Sequence, residues 1–156
     1  MPERTWRVGL ISDTHGLVRQ EALAALAGSD LIVHAGDIVQ PAILAMLGDI
    51  APVTAVRGNN DRGAWADALP ERETITVGAV TLCVIHDLKQ FDLDAQGAGC
   101  DVVIAGHSHQ PKVERRGRVL YVNPGSAGPR RFKLPLTVAR LEVAGRDVRA
   151  EIVALE

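Results

Sequence analysis

Six short apolar runs in this chain each stop at a side chain that can hold a metal ion or a polar ligand, and this punctuation limits the fold more than any other feature. "VGLIS" is followed by Asp13, with His15 two residues on, and "LIVHAG" by Asp37. "VTAVRG" is followed by Asn59, "TLCVI" by His86, "DVVIAG" by His107 and His109, and "VLYV" by Asn123. Runs this short and this rich in Val and Ile read as buried strands. Ligands of open α/β sheets bind outside the carboxyl ends of the strands, so the six tips predict one shared cavity. Residues two apart in an extended segment point the same way. Asp13 with His15, and His107 with His109, can therefore each reach into it.

The spacing between the runs sets the architecture. "RQEALAALAG" carries Leu23, Leu26 and Ala27 at helical spacing and stops at Gly28, and "PAILAMLG" starts a helix on Pro41. The first sixty residues thus read β-α-β-α-β, which requires parallel strands covered by helices. The pattern then changes to three hairpins turning near Gly78, Gly117 and Gly145, with a buried strand at "DVVIAGH" and one short helix expected between residues 92 and 99. No repeat, linker or low-complexity segment interrupts the chain. A single domain over 1–156 is expected, built as an α/β sandwich of two sheets flanked by helices.

Composition excludes several classes. With 47% hydrophobic residues the chain is not disordered, and at 3% aromatics its core must be aliphatic. No apolar run approaches the ~18 residues of a membrane span, and the N-terminus has no secretory apolar segment before its first strand. Cys83 and Cys100 lie in apolar runs without CxxC spacing and read as reduced and buried, which suits a cytoplasmic protein. The net charge of -2 conceals an acidic part, residues 1–111, and a basic part, residues 112–156. Nothing resembles a nucleic-acid-binding tail. Homo-oligomerisation stays open.

Asp13, His15, Asp37, Asn59, His86, His107 and His109 are too many ligands for one tetrahedral site with an open position. They fit two metals sharing a bridging carboxylate. Nitrogen and oxygen donors without thiolate suit Mn, Fe, Zn, Co or Ni. Each motif alone is common; their coincidence at strand tips is not. His34 is the exception among the five histidines. It sits inside a strand, three before Asp37, and reads as a buried, hydrogen-bonded core histidine.

"DTH", "GD", "GNND", an isolated His after a strand and "GHSH", in that order, resemble the calcineurin-like metallophosphoesterases, and the small size and "NPGSAGPRRFKLP" resemble the YfcE-type phosphodiesterases of bacteria and archaea. The resemblance implies a four-layer α-β-β-α sandwich and a phosphodiesterase with two divalent ions, Mn2+ foremost, and a hydroxide shared between them as nucleophile. It implies Asp13, His15, Asp37 and His109 for the first ion, and Asp37, Asn59, His86 and His107 for the second. Two positions depart from the family. Asn60 stands where many members have a histidine acting as acid or transition-state stabiliser, and Asp87 follows His86 where glycine is usual.

Asn60 can donate a hydrogen bond to a small-molecule phosphoester but cannot supply a proton near neutral pH. Asp61 is expected to orient a neighbour or cap the following turn. Asn123, Arg130 and Arg131 are the remaining candidates for contact with substrate, against the simpler reading of "NPGSAGPRR" as a hairpin turn. The alternatives are a phosphomonoesterase and a protein-binding scaffold of the same fold that performs no chemistry, as in a relative from the retromer coat.

Overall fold

The computed structural model describes residues 4–90, 99–130 and 133–155. Ten strands form two five-stranded mixed sheets packed face to face. The first sheet contains β1 (Thr5–Ile11), β2 (Leu31–His34), β3 (Val53–Ala55), β9 (Thr137–Ala144) and β10 (Asp147–Ala154), in the order β10-β9-β1-β2-β3. The second contains β4 (Arg72–Val77), β5 (Val80–Ile85), β6 (Val102–Ile104), β7 (Lys112–Arg116) and β8 (Val119–Asn123), in the order β4-β5-β6-β8-β7. The three expected hairpins are β4–β5, β7–β8 and β9–β10, and Gly78, Gly117 and Gly145 all take positive φ at their turns.

Each sheet contains a parallel triplet. β1, β2 and β3 run together in one, and β5, β6 and β8 in the other. Their carboxyl ends are the six polar tips read from the sequence, so the topology brings those side chains to one end of the sandwich. Between the sheets lies an aliphatic core containing Leu10, Val33, Leu82, Val84, Ile104 and Leu141. Truncating one of these to alanine is expected to cost about 2–5 kcal/mol, which keeps the strand tips in fixed register.

The outer face of the first sheet is covered by α1 (Gln20–Leu26) and α2 (Ala42–Gly48), which bury Ala22, Leu26, Ile43 and Leu47 against Ile11, Ile32 and Val138. Gly28, at φ 83°, stops the first of these helices as expected. A third helix, α3 (Ala64–Asp67), follows the GNND segment. On the outer face of the second sheet the described residues form a smaller cluster of Cys83, Cys100, Val103 and Val119, with Leu88 from a one-turn 3-10 helix packed on it. The helix expected between 92 and 99 falls almost wholly outside the described residues.

Cys83 and Cys100 are buried, as read, but they are bonded to each other rather than reduced. The parallel pairing of β5 with β6 sets Cys83 opposite Val103 and brings the residues just before β6 alongside it. That juxtaposition cannot be read from spacing. A bonded pair gives no support to a reducing compartment. None of the helices described is long and apolar enough to cross a membrane.

Candidate metal centre

Asp13 sits just beyond β1 with no exposed surface. Its Oδ2 accepts hydrogen bonds from Ser12 Oγ at 2.7 Å and from the His107 amide at 3.0 Å. Its Oδ1 is buried and has no hydrogen-bond partner. Three imidazole nitrogens surround that oxygen: His109 Nε2 at 3.4 Å, His15 Nε2 at 3.8 Å and His86 Nε2 at 3.9 Å. Buried carboxylate oxygens are almost never left unpaired. An orphan oxygen ringed by imidazoles is matched by a cation.

Asp37 lies after β2. Its Oδ1 accepts the Asn60 amide and its Oδ2 accepts Asn60 Nδ2, both at 2.9 Å. The same Oδ2 lies 3.2 Å from His86 Nε2 and 3.6 Å from His15 Nε2. Two groups of donors result, Asp13–His15–His109 and Asp37–His86–His107. Asp37 touches both through its distances to His15 and His86. At metal–ligand distances of about 2.1 Å, neighbouring ligands are about 3.0–3.4 Å apart. Of the separations around Asp13 Oδ1 and Asp37 Oδ2, 3.2 and 3.4 Å lie in this range and the others, up to 3.9 Å, lie beyond it by an amount side-chain adjustment can close, so the residues fit divalent ions without rearrangement of the fold.

The backbone carries the same signature. Among the described residues, six other than glycine have φ between 47° and 74°, and five of them are Asp13, His15, Asp37, His107 and His109. Asp and His tolerate this region better than other side chains, and such conformations gather at functional sites. Two motif glycines serve close approach. A Cβ on Gly106 would overlap Ser12 Oγ and come within 2.6 Å of Asp13 Oδ2, and one on Gly58 would collide with the Asp37 backbone. The glycines of "GHSH" and "GNND" thus let two loops close onto the two aspartates.

Electrostatics in the metal-free chain are strongly biased. Burial works to raise the Asp13 carboxyl, but the nearby His109, His15 and His86 imidazoles outweigh it, leaving Asp13 well below the ordinary carboxylate range. Burial likewise works to raise Asp37, and His86 and Asn60 overcome it. Burial disfavours a charged His86, yet Asp37 and Asp13 hold its pKa above the usual value. Its Nδ1–H donates to the Ala35 carbonyl at 2.7 Å, which leaves Nε2 facing Asp37. A cation at this position competes with the proton there.

The remaining candidates divide clearly. Asn59 is exposed, and lines a cavity of about 430 Å³ together with His86, His107, Asp87, Arg57 and Arg62. Asn60 is also exposed, with its amide committed to Asp37. Asp61 is buried and accepts the backbone amides of Asp37, Val39 and Gly58. It therefore orients the Asp37 loop, one of the two roles expected of it; it borders the cavity, but both its oxygens are committed to backbone amides. Asn123 spends its side chain on Gly106 O, Ser108 Oγ and the Gly125 amide. That fixes the loop carrying His107 and His109.

The "NPGSAG" turn packs beneath the site, where Ser126 Oγ donates to Asp13 O and the Ala127 amide donates to Ser12 O. Arg130 is exposed and donates to the Leu134 carbonyl at 3.4 Å. Arg131 lies outside the described residues. His34 is fully buried, with Nδ1 accepting from the Gly36 amide and Nε2 3.0 Å from Thr14 Oγ1.

Sequence reasoning missed Arg57 and Arg62, the cations that do line the cavity. Their signal was position, immediately before and after "GNND". Arg57 is already paired with Glu71 at 2.9 Å.

Comparison with known proteins identifies the family. The profile of the calcineurin-like phosphoesterase superfamily domain matches residues 6–146. The chain belongs to this superfamily. A probable metallophosphoesterase of Methanothermobacter thermautotrophicus is 32% identical, over 94% of this chain and 91% of its own length. Among solved structures, the phosphoesterase YfcE of E. coli superposes with a TM-score of 0.69 at 22% identity, covering 96% of this chain and all of that one. Vps29 of Chaetomium thermophilum superposes with a TM-score of 0.79 at 19% identity, covering 96% and 97%. Superfamily membership makes the chain a metallophosphoesterase by descent, and the two sheets have the fold of these relatives.

Proposed function

We propose that the protein is a phosphodiesterase working with two divalent ions, Mn2+ foremost. Asp13, His15, Asp37 and His109 would hold the first, and Asp37, Asn59, His86 and His107 the second. The observation that carries this reading is the pair of donor groups joined through Asp37, with the orphan Asp13 Oδ1 between three imidazoles. Bound there, the ions would supply Lewis-acid charge and a water of lowered pKa for attack on phosphorus. Asn59 completes the second set from the cavity wall it shares with His86 and His107.

The chain's own residues favour diesters. Two divalent ions, two aspartates and a hydroxide sum to about +1, and on the cavity wall Arg57 and Arg62 offset Asp87 and Glu71. A diester monoanion suits that charge better than a monoester dianion. Among the described residues no histidine is left over to serve as general acid. Four of the five histidines belong to the donor groups, His34 is sealed in the core, and the Asn60 amide is tied to Asp37. The departing oxygen then leaves without a protein proton, so acidic leaving groups react best.

The test is elemental analysis of metal-loaded protein together with hydrolysis of aryl phosphodiesters, alkyl and aryl phosphomonoesters and cyclic nucleotides, each with Mn2+, Fe2+, Ni2+, Co2+ and Zn2+. Two ions per chain and preferential diester turnover are expected. At most one ion per chain would remove the dinuclear centre. Full occupancy with no hydrolysis under any metal would favour the scaffold reading.

A further inference from the structure

Asp87 occupies the position after His86 where the family resemblance leads one to expect glycine. Its Oδ1 accepts the Lys89 amide at 3.1 Å, which fixes the side chain at the start of a 3-10 turn. Its Oδ2 is left 3.8 Å from Nε2 of His107. The other ring nitrogen of His107, Nδ1, lies 3.3 Å from His86 Nε2, and the two rings meet edge to face. His107 thus has one nitrogen on the cluster side and one on the carboxylate side. Its backbone is fixed too, by the amide bond to Asp13 Oδ2 and a left-handed φ of 70°.

A metal-ligating imidazole normally donates its second N–H to a carboxylate or carbonyl, which sets its tautomer and raises its basicity. His86 meets this need through the Ala35 carbonyl. We infer that Asp87 meets it for His107: a small turn of the ring or carboxylate closes the 3.8 Å gap, so that the carboxylate accepts the Nε2–H and the Nδ1 lone pair is presented to the second ion. Asp87 is a positioning residue, and glycine at this place could not do its work. A charged acceptor makes the imidazole a stronger donor than a neutral carbonyl does. His107 needs this most, since its side chain is 45% exposed whereas that of His86 is 5% exposed. Water would otherwise compete for Nε2–H and leave the ring free to take either tautomer.

The inference rests on the two-ion reading, and the test separates the two. The full-length metal-free protein is titrated with Zn2+ against a chromophoric chelator, and the two dissociation constants are resolved. Asp87→Asn keeps the acceptor for the Lys89 amide and loses the charge; Asp87→Gly loses both. Each is expected to weaken the second Zn2+ by about 10–100-fold and leave the first within about twofold, with Asp87→Glu recovering part of the loss. In the metal-free protein, 15N spectra should show His107 as the Nε2–H tautomer in the wild type and as a mixture in Asp87→Gly. If the wild type takes up at most one Zn2+, the two-ion reading fails. Two bound ions with an unaltered second constant in Asp87→Gly overturn this inference alone, as does a His107 tautomer that ignores the substitution.

Discussion

Asp61 holds Asp37 by its backbone: Oδ2 of Asp61 accepts the Asp37 amide at 3.0 Å and the Gly58 amide at 2.8 Å, while Oδ1 accepts Val39 N–H at 2.7 Å. One buried carboxylate therefore joins the loop after β2 to the loop after β3. Asp61→Ala strands three donors. Leaving buried donors unpaired costs about 1–3 kcal/mol each, so a loss of about 2–4 kcal/mol is expected after relaxation. Asp61→Asn should fall between variant and wild type. Urea denaturation of the metal-free proteins measures both.

Gly106→Ala should damage the first metal group without replacing a ligand. The new methyl overlaps Ser12 Oγ and approaches Asp13 Oδ2 to 2.6 Å, so Asp13 must move. Zn2+ affinity at the site of Asp13, His15 and His109 is expected to fall at least about tenfold. A calorimetric titration with both constants unchanged would show that the loop absorbs the methyl.

His34 makes the metal-free protein acid-sensitive. Burial pushes its pKa down to about 3, against the ordinary 6.5. The unfolded chain then binds the proton that the folded chain refuses, and stability falls as pH drops below 6.5. Between pH 7 and pH 5 this one group should remove about 2 kcal/mol. His34→Gln should lower stability at pH 7 but flatten the pH dependence over that interval, as read from denaturant midpoints.

The Cys83–Cys100 bond closes a segment with a sequence separation of 17 that carries both His86 and Asp87. Constraining an unfolded loop of that size is worth about 3 kcal/mol. Dithiothreitol, or the double substitution Cys83→Ala with Cys100→Ala, should lower the stability by that order. An equal unfolding midpoint with and without reductant in the wild type would show that the bond contributes nothing.

Asn60→His tests the proton supply. If general acid catalysis is the missing contribution, a histidine here should raise kcat for poor leaving groups by about 10²-fold and leave acidic ones little changed. It also removes the amide that Asp37 Oδ2 accepts, while the backbone bond to Oδ1 remains. Metal content must therefore be measured alongside. Parallel plots of log kcat against leaving-group pKa for the two proteins would show that Asn60 does not govern departure of the alcohol.

The strands, the hairpin turns and the six polar tips were legible because each is a local signal: apolar alternation, a glycine at a turn, a ligand-type residue where a run stops. These are short-range constraints, and parallel strands carry their ends to one side whatever the details of packing. His34 could be set aside for the same reason, since its place inside a strand marks it as core.

What the chain alone could not decide is which distant groups meet. Asp61 follows GNND in sequence, but only the adjacency of β2 and β3 aims it at the Asp37 amide. Asn123 ends its strand in sequence, but only the parallel pairing of β6 with β8 sets its amide on Gly106 and Ser108. Cys83 and Cys100 needed the β5–β6 register to meet, and Asp87 needed two loops from neighbouring strands to find His107. Local pattern determined the ends of the strands and the chemistry placed on them. Hydrogen-bond and metal-site geometry is settled within a few tenths of an ångström, and only the packed sheets impose distances that fine on residues far apart in the chain.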